Sequence, residues 1–262
     1  MHVEESIKSL VNFRSLMSAY VSKEDIRYIY GKSVLKKIDS SLLNQLKDSK
    51  TPASTRKYIY ARANINYFLI RDFVKFIGVS GSVGAGFAKE TDDIDLFVVL
   101  KDETAWLYRI ILQTKDIFNN KLRTHRSKSF KDKFYMNFLV EERGLKMDND
   151  IFNFHELMYL KPVYGEKYIN YIYSRNEWLK DWCVRKENLV CKVTPDKKKN
   201  LFISVANFVS FFLQTVFMFL SFHKPDVKRL IAEYKDGKIS FYEKDFRPKK
   251  LKKYYKSFKL NN

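Results

Sequence analysis

Apolar residues recur at helical spacing through the first fifty positions, as Ile7, Leu10, Val11, Phe13, Leu16 and Met17, then Ile26, Ile29 and Tyr30. Ser22 with Asp25 forms a capping pair for the second of these segments. A loop at Asp48–Pro52 follows, Pro52 suits a first helical turn, and residues 53–73 read as one long helix. Two short runs rich in β-branched and aromatic residues, 73–79 and 96–100, read as buried strands, and 134–140 as a third. Between the second and third, Asp102-Glu103 opens a helix of about fifteen residues through Trp106, Leu107, Ile110, Ile111 and Phe118. Beyond Gly144 the pattern turns helical. Asp148-Asn149-Asp150 caps a segment through Phe154 and Leu160, Pro162 and Gly165 break it, and 166–182 reads as another, aromatic-rich helix.

Leu201 to Phe222 contains no charged residue and has the length to cross a bilayer. Ser204, Asn207, Ser210, Gln214 and Thr215 recur within it, and Leu201, Val205, Phe208, Phe212 and Phe219 suit a core on several sides. A buried helix of a helical second domain is the favoured reading, with membrane association the alternative.

The chemistry-bearing stretch lies between the first two strands, Gly81-Ser82-Val83-Gly84-Ala85-Gly86 leading to Asp93-Ile94-Asp95. Strand side chains alternate, so Asp93 and Asp95 point to the same face. Two such carboxylates repel unless a cation lies between them. Oxygen-only donors favour a hard divalent ion, and magnesium characteristically takes one or two carboxylates plus substrate phosphates. Gly81-Ser82 offers backbone N–H groups at a helix start, where a phosphate approaches without a Cβ in its way. Alone, a Gly-Ser pair is ordinarily a turn and an Asp pair a solvated strand end; both at this spacing between two apolar strands point to phosphoryl or nucleotidyl transfer. A Walker-type loop is excluded because Phe87 follows Gly86 where that motif needs Lys, and the dinucleotide fingerprint because the glycine spacing is wrong.

Gly81-Ser82 followed after ten residues by Asp93-Ile94-Asp95-Leu96 resembles the signature of the DNA polymerase β-type nucleotidyltransferase superfamily. Trp106, Arg109, Asn137, Glu156-Leu157, Pro162-Val163-Tyr164-Gly165 and Asn176-Glu177-Trp178 resemble a group of its small bacterial and archaeal members, as do, more loosely, Gln214, Met218 and His223-Lys224-Pro225-Asp226. The resemblance implies an α/β (α+β) fold with a small mixed-sheet nucleotidyltransferase core. Residues 1–72 would be packing helices without evident chemistry, 73–145 the core, and 146–262 a helical C-terminal domain with a basic tail. It implies a nucleoside triphosphate in the crevice between core and helical part, its phosphates on Gly81 and Ser82. Mg2+ (or Mn2+) would sit on Asp93 and Asp95, and Lys89 and Arg109 are candidates for stabilising leaving-group charge. The superfamily's third carboxylate corresponds here to Asn137, expected on one strand face with Tyr135, Leu139 and Glu141. An amide ligates weakly and cannot act as a base, so a non-catalytic nucleotide- or RNA-binding module is the alternative to an enzyme, with Glu141 a candidate substitute carboxylate.

Charge bears on the partner. The 262 residues carry 49 Lys+Arg against 30 Asp+Glu, a formal +19, which draws polyanions. A Lys-rich proteome accounts for the total equally well, so clustering carries the information. Segment 121–133 holds six basic residues against one acid, and 235–262 ten against three with aromatics interleaved. Both suit phosphate contact and base stacking, or equally a solvated loop and a docked helix. RNA, such as a tRNA end, is the slightly favoured acceptor, with small molecules and proteins open. His155 has no partner at metal-ligand spacing. Cys183 and Cys191 make neither a metal set nor a disulfide framework, and with a polar, acidic N-terminus fit a cytoplasmic protein with free thiols.

Overall fold

The computed structural model describes residues 1–48, 50–70, 72–124, 127–191, 193, 200–220, 226–240 and 251–256. It is a mixed α/β structure built on one five-stranded sheet. The strands are β1 (Val74–Val79), β2 (Ile94–Leu100), β3 (Phe134–Glu141), β4 (Lys161–Tyr164) and β5 (Lys238–Ser240), ordered β4-β1-β2-β3-β5. β1 is antiparallel to β2 and β4, β2 is parallel to β3, and β3 is antiparallel to β5. The helices are α1 (Val3–Ser15), α2 (Lys23–Tyr30), α3 (Ser40–Gln45), α4 (Pro52–Ala63), α5 (Gly81–Gly84), α6 (Ala105–Asn119), α7 (Ile151–Met158), α8 (Ile169–Ser174), α9 (Leu201–Leu220) and α10 (Val227–Asp236). The parallel step from β2 to β3 requires a crossover, and α6 supplies it.

The central strands are covered on both faces. Ile77, Val79, Leu96, Val98 and Leu139 pack with Ala61, Phe68, Trp106, Tyr108 and Leu112. Phe76, Phe97, Val99, Phe138 and Val140 join Ile7, Leu10, Phe13, Phe154, Leu157 and Ile172 in the second core. Burial on both faces is why β2 reads as a nearly unbroken apolar run from Leu96. Ser22 and Asp25 form the expected reciprocal cap of α2, and Asp150 accepts from the Asn153 N–H at the start of α7.

Four elements depart from the sequence pattern. The C-terminal part is not helical throughout, since β4 and β5 add a strand to either edge of the sheet; Pro162 is tolerated because β4 is an edge strand. The helix expected over 53–73 stops at Ala63, where the Asn64 side chain donates back to the Tyr60 carbonyl at 2.9 Å. The helix expected over 166–182 breaks around Asn176, whose fully buried side chain donates to the Leu145 and Ile172 carbonyls and accepts from the Met147 N–H.

The fourth is α9, expected as a core helix. Its polar residues Asn207, Ser210 and Gln214 are the buried ones, while most of its large apolar residues face outward. The reason is local: the first N–H groups of α6 have no intrahelical acceptor. Asn207 Oδ1 accepts from Trp106 and Leu107 at 2.9 and 3.0 Å, and Gln214 Nε2 donates to the Trp106 carbonyl at 2.9 Å. Among the described residues α9 is the one helix long and apolar enough to cross a membrane.

Candidate functional site

The site forms where β1 ends beside the start of β2. The Ser80 N–H donates to the Asp95 carbonyl at 2.9 Å, the last rung before the chain turns. Gly81 then opens α5 at φ +58°, a conformation costly for any residue with a Cβ, and a Cβ built there would run into the Asp95 carboxylate. Glycine is therefore required twice, by dihedral and by approach.

On β2, Ile94 and Leu96 are buried toward α4 and α6, so alternation sends Asp95 to the other face; Asp93 immediately precedes the strand. Asp95 lies opposite Tyr135 of β3. Asp93 Oδ2 is 2.5 Å from Nη1 of Arg123, whose guanidinium lies over the rings of Phe130 and Tyr135 at 4.1 and 4.9 Å. A cation thus already sits on Asp93. Arg123 belongs to the basic segment singled out by charge, although its individual role was not legible there.

Residues outside the motif hold the turn in shape. Ser82 Oγ and the Lys89 N–H both donate to Asp92 Oδ2, at 3.1 and 2.9 Å. Lys57 of α4 is completely buried and donates to the Glu90 and Asp92 carbonyls and to Asp132. Thr51 Oγ1 donates to the Ala88 carbonyl, and the Ala88 N–H donates to Ser54 Oγ. From the N-terminal helices, buried Arg14 donates to the Ala85 carbonyl at 3.1 Å and lies 4.3 Å from the Tyr159 ring centre. Residues 1–72, read as plain packing, thus carry the two buried cations that fasten the loop. Arg14 Nη1 is also 3.5 Å from His155 Nε2, and His155 packs edge-on to Phe13. Its neighbour Glu156 is nearly buried and accepts from the Gly81 N–H at a long 3.4 Å.

The remaining candidates fall differently. Leu96 pairs with Met136 and Phe97 with Phe138, leaving Asn137 as the extra residue of a β-bulge. Asn137 is buried. But the bulge sets Tyr135 beside Asp95 and Leu139 beside Val98, on opposite faces, so the shared face expected for Tyr135, Asn137, Leu139 and Glu141 does not exist. Glu141 is no substitute carboxylate: its Oε1 accepts from Thr104 and Ala105 at 3.0 Å, capping α6, and its Oε2 pairs with Arg143. Burial raises its pKa, with Arg143 pulling the other way. Arg109 is half-buried on α6 beside the Trp106 ring, and desolvation draws its guanidinium down to about 10 against the pull of Glu233 on α10. The Lys89 side chain is exposed at the rim of the turn.

The basic segments are only partly available to a partner. In 121–133, Lys121 donates to Asn64 and Lys133 to Asn120, leaving Lys128 and Lys131 exposed; Arg126 lies outside the described residues. In the tail, 241–250 and 257–262 lie outside them as well. Residues 251–256 are helical and dock through Tyr254 against Phe13, with Lys252, Lys253 and Lys256 exposed.

Among the described residues no three His, Cys, Asp or Glu side chains converge as a metal-binding group. Asp93 and Asp95, two positions apart at the head of β2, are oxygen donors of the kind magnesium takes together with substrate phosphates. Two cavities of about 390 and 380 Å3 lie elsewhere, around Arg143, Lys146 and Lys235 and around Lys75, Lys167 and Tyr168. No protein-family model matches the chain, and neither does any curated protein or solved structure.

Proposed function

We propose that this chain is a metal-dependent nucleotidyltransferase that moves a nucleoside monophosphate from a nucleoside triphosphate to an acceptor hydroxyl, with an RNA such as a tRNA end as the favoured acceptor. One observation carries the reading: the bare Cα of Gly81 meets the Asp95 carboxylate, with Asp93 two positions before it, just ahead of β2. Asp93 and Asp95 would hold Mg2+ or Mn2+, which when bound supplies charge neutralisation along the triphosphate. The Gly81 and Ser82 amides would receive phosphate oxygens, the Gly81 N–H exchanging its long hydrogen bond to Glu156 for one to phosphate. Arg123, once it leaves Asp93, carries a planar donor suited to phosphate. Asn137 would position the acceptor hydroxyl but cannot take its proton, which leaves that task to the aspartates. The formal +19 and the exposed Lys128 and Lys131 on the Arg123 segment support a polyanionic acceptor. The free thiols of Cys183 and Cys191 support a cytoplasmic site of action.

The test is incubation with Mg2+ and labelled nucleoside triphosphates in the presence of total RNA, protein or small molecules. Label should enter the RNA fraction and disappear with Asp95→Ala. Label in the protein or small-molecule fraction would keep the reaction and change the acceptor. A second reading, a binding module without turnover, is favoured by Asn137 and by the Arg123 pair on Asp93. Triphosphate binding by calorimetry without pyrophosphate release would select it.

A further inference from the structure

Helix α9 is amphipathic in the wrong sense for water. Asn207 is fully buried, whereas Phe202 and Leu220, at opposite ends, are 87% and 72% exposed, with Val205, Phe208, Phe212 and Phe217 exposed between them. At 3.6 residues per turn these positions sweep roughly half of the circumference. A patch of this size on a soluble surface marks an interaction site.

We propose that α9 is an in-plane membrane anchor that seats the protein on an anionic lipid surface. Three observations select a bilayer over a second copy of the chain. First, a two-helix seam uses a narrow a/d stripe, whereas this face is a half-cylinder, the shape that sinks into the headgroup–acyl boundary. Second, the apolar surface continues onto α10. Val227 and Ile231 are exposed there, and Tyr234, three and seven positions on and so on the same helix face, touches Phe208 and Phe211 of α9. Third, the run from Leu201 to Phe222 has no ionisable residue and Lys197–Lys199 precede it in sequence; on α10 the exposed Lys228 and Lys235 stand with the exposed Asp226 and Asp236, so the pull toward an anionic leaflet comes from the formal +19 of the chain. Basic residues at an anionic leaflet add to apolar burial.

The helix lies on the membrane rather than crossing it because its opposite face is committed. Asn207 and Gln214 bond to the first turn of α6, Phe211 packs edge-on to Trp106, and Ser204 donates to Glu103. Crossing would strip these polar groups from their partners inside hydrocarbon, at several kcal/mol for each unsatisfied group.

Flotation of the full chain with phosphatidylcholine vesicles, with and without phosphatidylglycerol, tests this. The parent should float with the phosphatidylglycerol vesicles, and Phe208→Asp/Phe212→Asp/Phe217→Asp should partition at least about tenfold less. Asp95→Ala should float like the parent, since the proposal is independent of nucleotidyl transfer. In a second measurement, Phe212→Trp should show blue-shifted emission on adding these vesicles, which needs no disruptive variant. Parent chain that stays in the aqueous fraction with both vesicle types would overturn the proposal, whether it is monomeric or a dimer. So would unshifted Trp emission, or flotation of the triple variant equal to the parent.

Discussion

Arg123 and Asp93 are joined by an ion pair of 2.5 Å in which the arginine is flanked by two aromatic rings. Asp93 cannot hold a divalent cation and Arg123 in the same place, so the pair sets the affinity of the site for bare metal. The pair is partly solvated and worth about 1 kcal/mol at most. Arg123→Ala should therefore tighten nucleotide-free Mn2+ binding by up to about fivefold, read by electron paramagnetic resonance, whereas Asp93→Ala should abolish it. Unchanged Mn2+ affinity in Arg123→Ala would show that the arginine does not compete with metal.

Gly81→Ala combines a left-handed residue with a Cβ that meets the Asp95 carboxylate. It should cost about 1–3 kcal/mol of stability and, by pushing Asp95 aside, weaken Mn2+ binding. Thermal unfolding and metal titration on the same sample read both effects.

Asn207→Leu leaves the Trp106 and Leu107 N–H groups buried without an acceptor. The expected loss is about 1–3 kcal/mol in chemical denaturation. Phe212→Ser, on the exposed side of the same helix, should stay within about 0.5 kcal/mol. If both variants lose the same amount, the polar inward face of α9 is not what anchors it.

Glu141 titrates above its ordinary value because burial disfavours its charge. A raised folded pKa stabilises fully below the unfolded value and loses that contribution as pH rises through the folded one. Glu141→Gln has no such titration. Its melting temperature relative to the parent should therefore rise from pH 4 toward pH 7, the change lying just above the ordinary carboxylate range near 4.5. A difference that is flat with pH would contradict the burial argument.

The central strands, the caps of α2 and α7 and the Gly81–Asp95 motif were legible because each is local. Alternation along β2 and the need for a residue without Cβ at a turn are properties of a few neighbouring positions. The face of Asn137 was misjudged because one bulge residue inverts alternation beyond it, and nothing within 134–141 announces a bulge. Glu141 was misjudged because its partners, the first amides of α6, lie some forty positions earlier in the chain.

By itself, the sequence determined that a glycine turn stands across from Asp95 at the head of β2, since steric freedom at Gly81 needs no distant partner. Only the tertiary structure decided which cations serve that turn, namely Arg14 and Lys57 buried beneath it and Arg123 on Asp93. It also decided that α9 turns its polar side inward. Hydrophobicity alone reads apolar residues as core; in the fold, Asn207 and Gln214 bond to the first turn of α6, and that contact leaves the phenylalanines on the outer face.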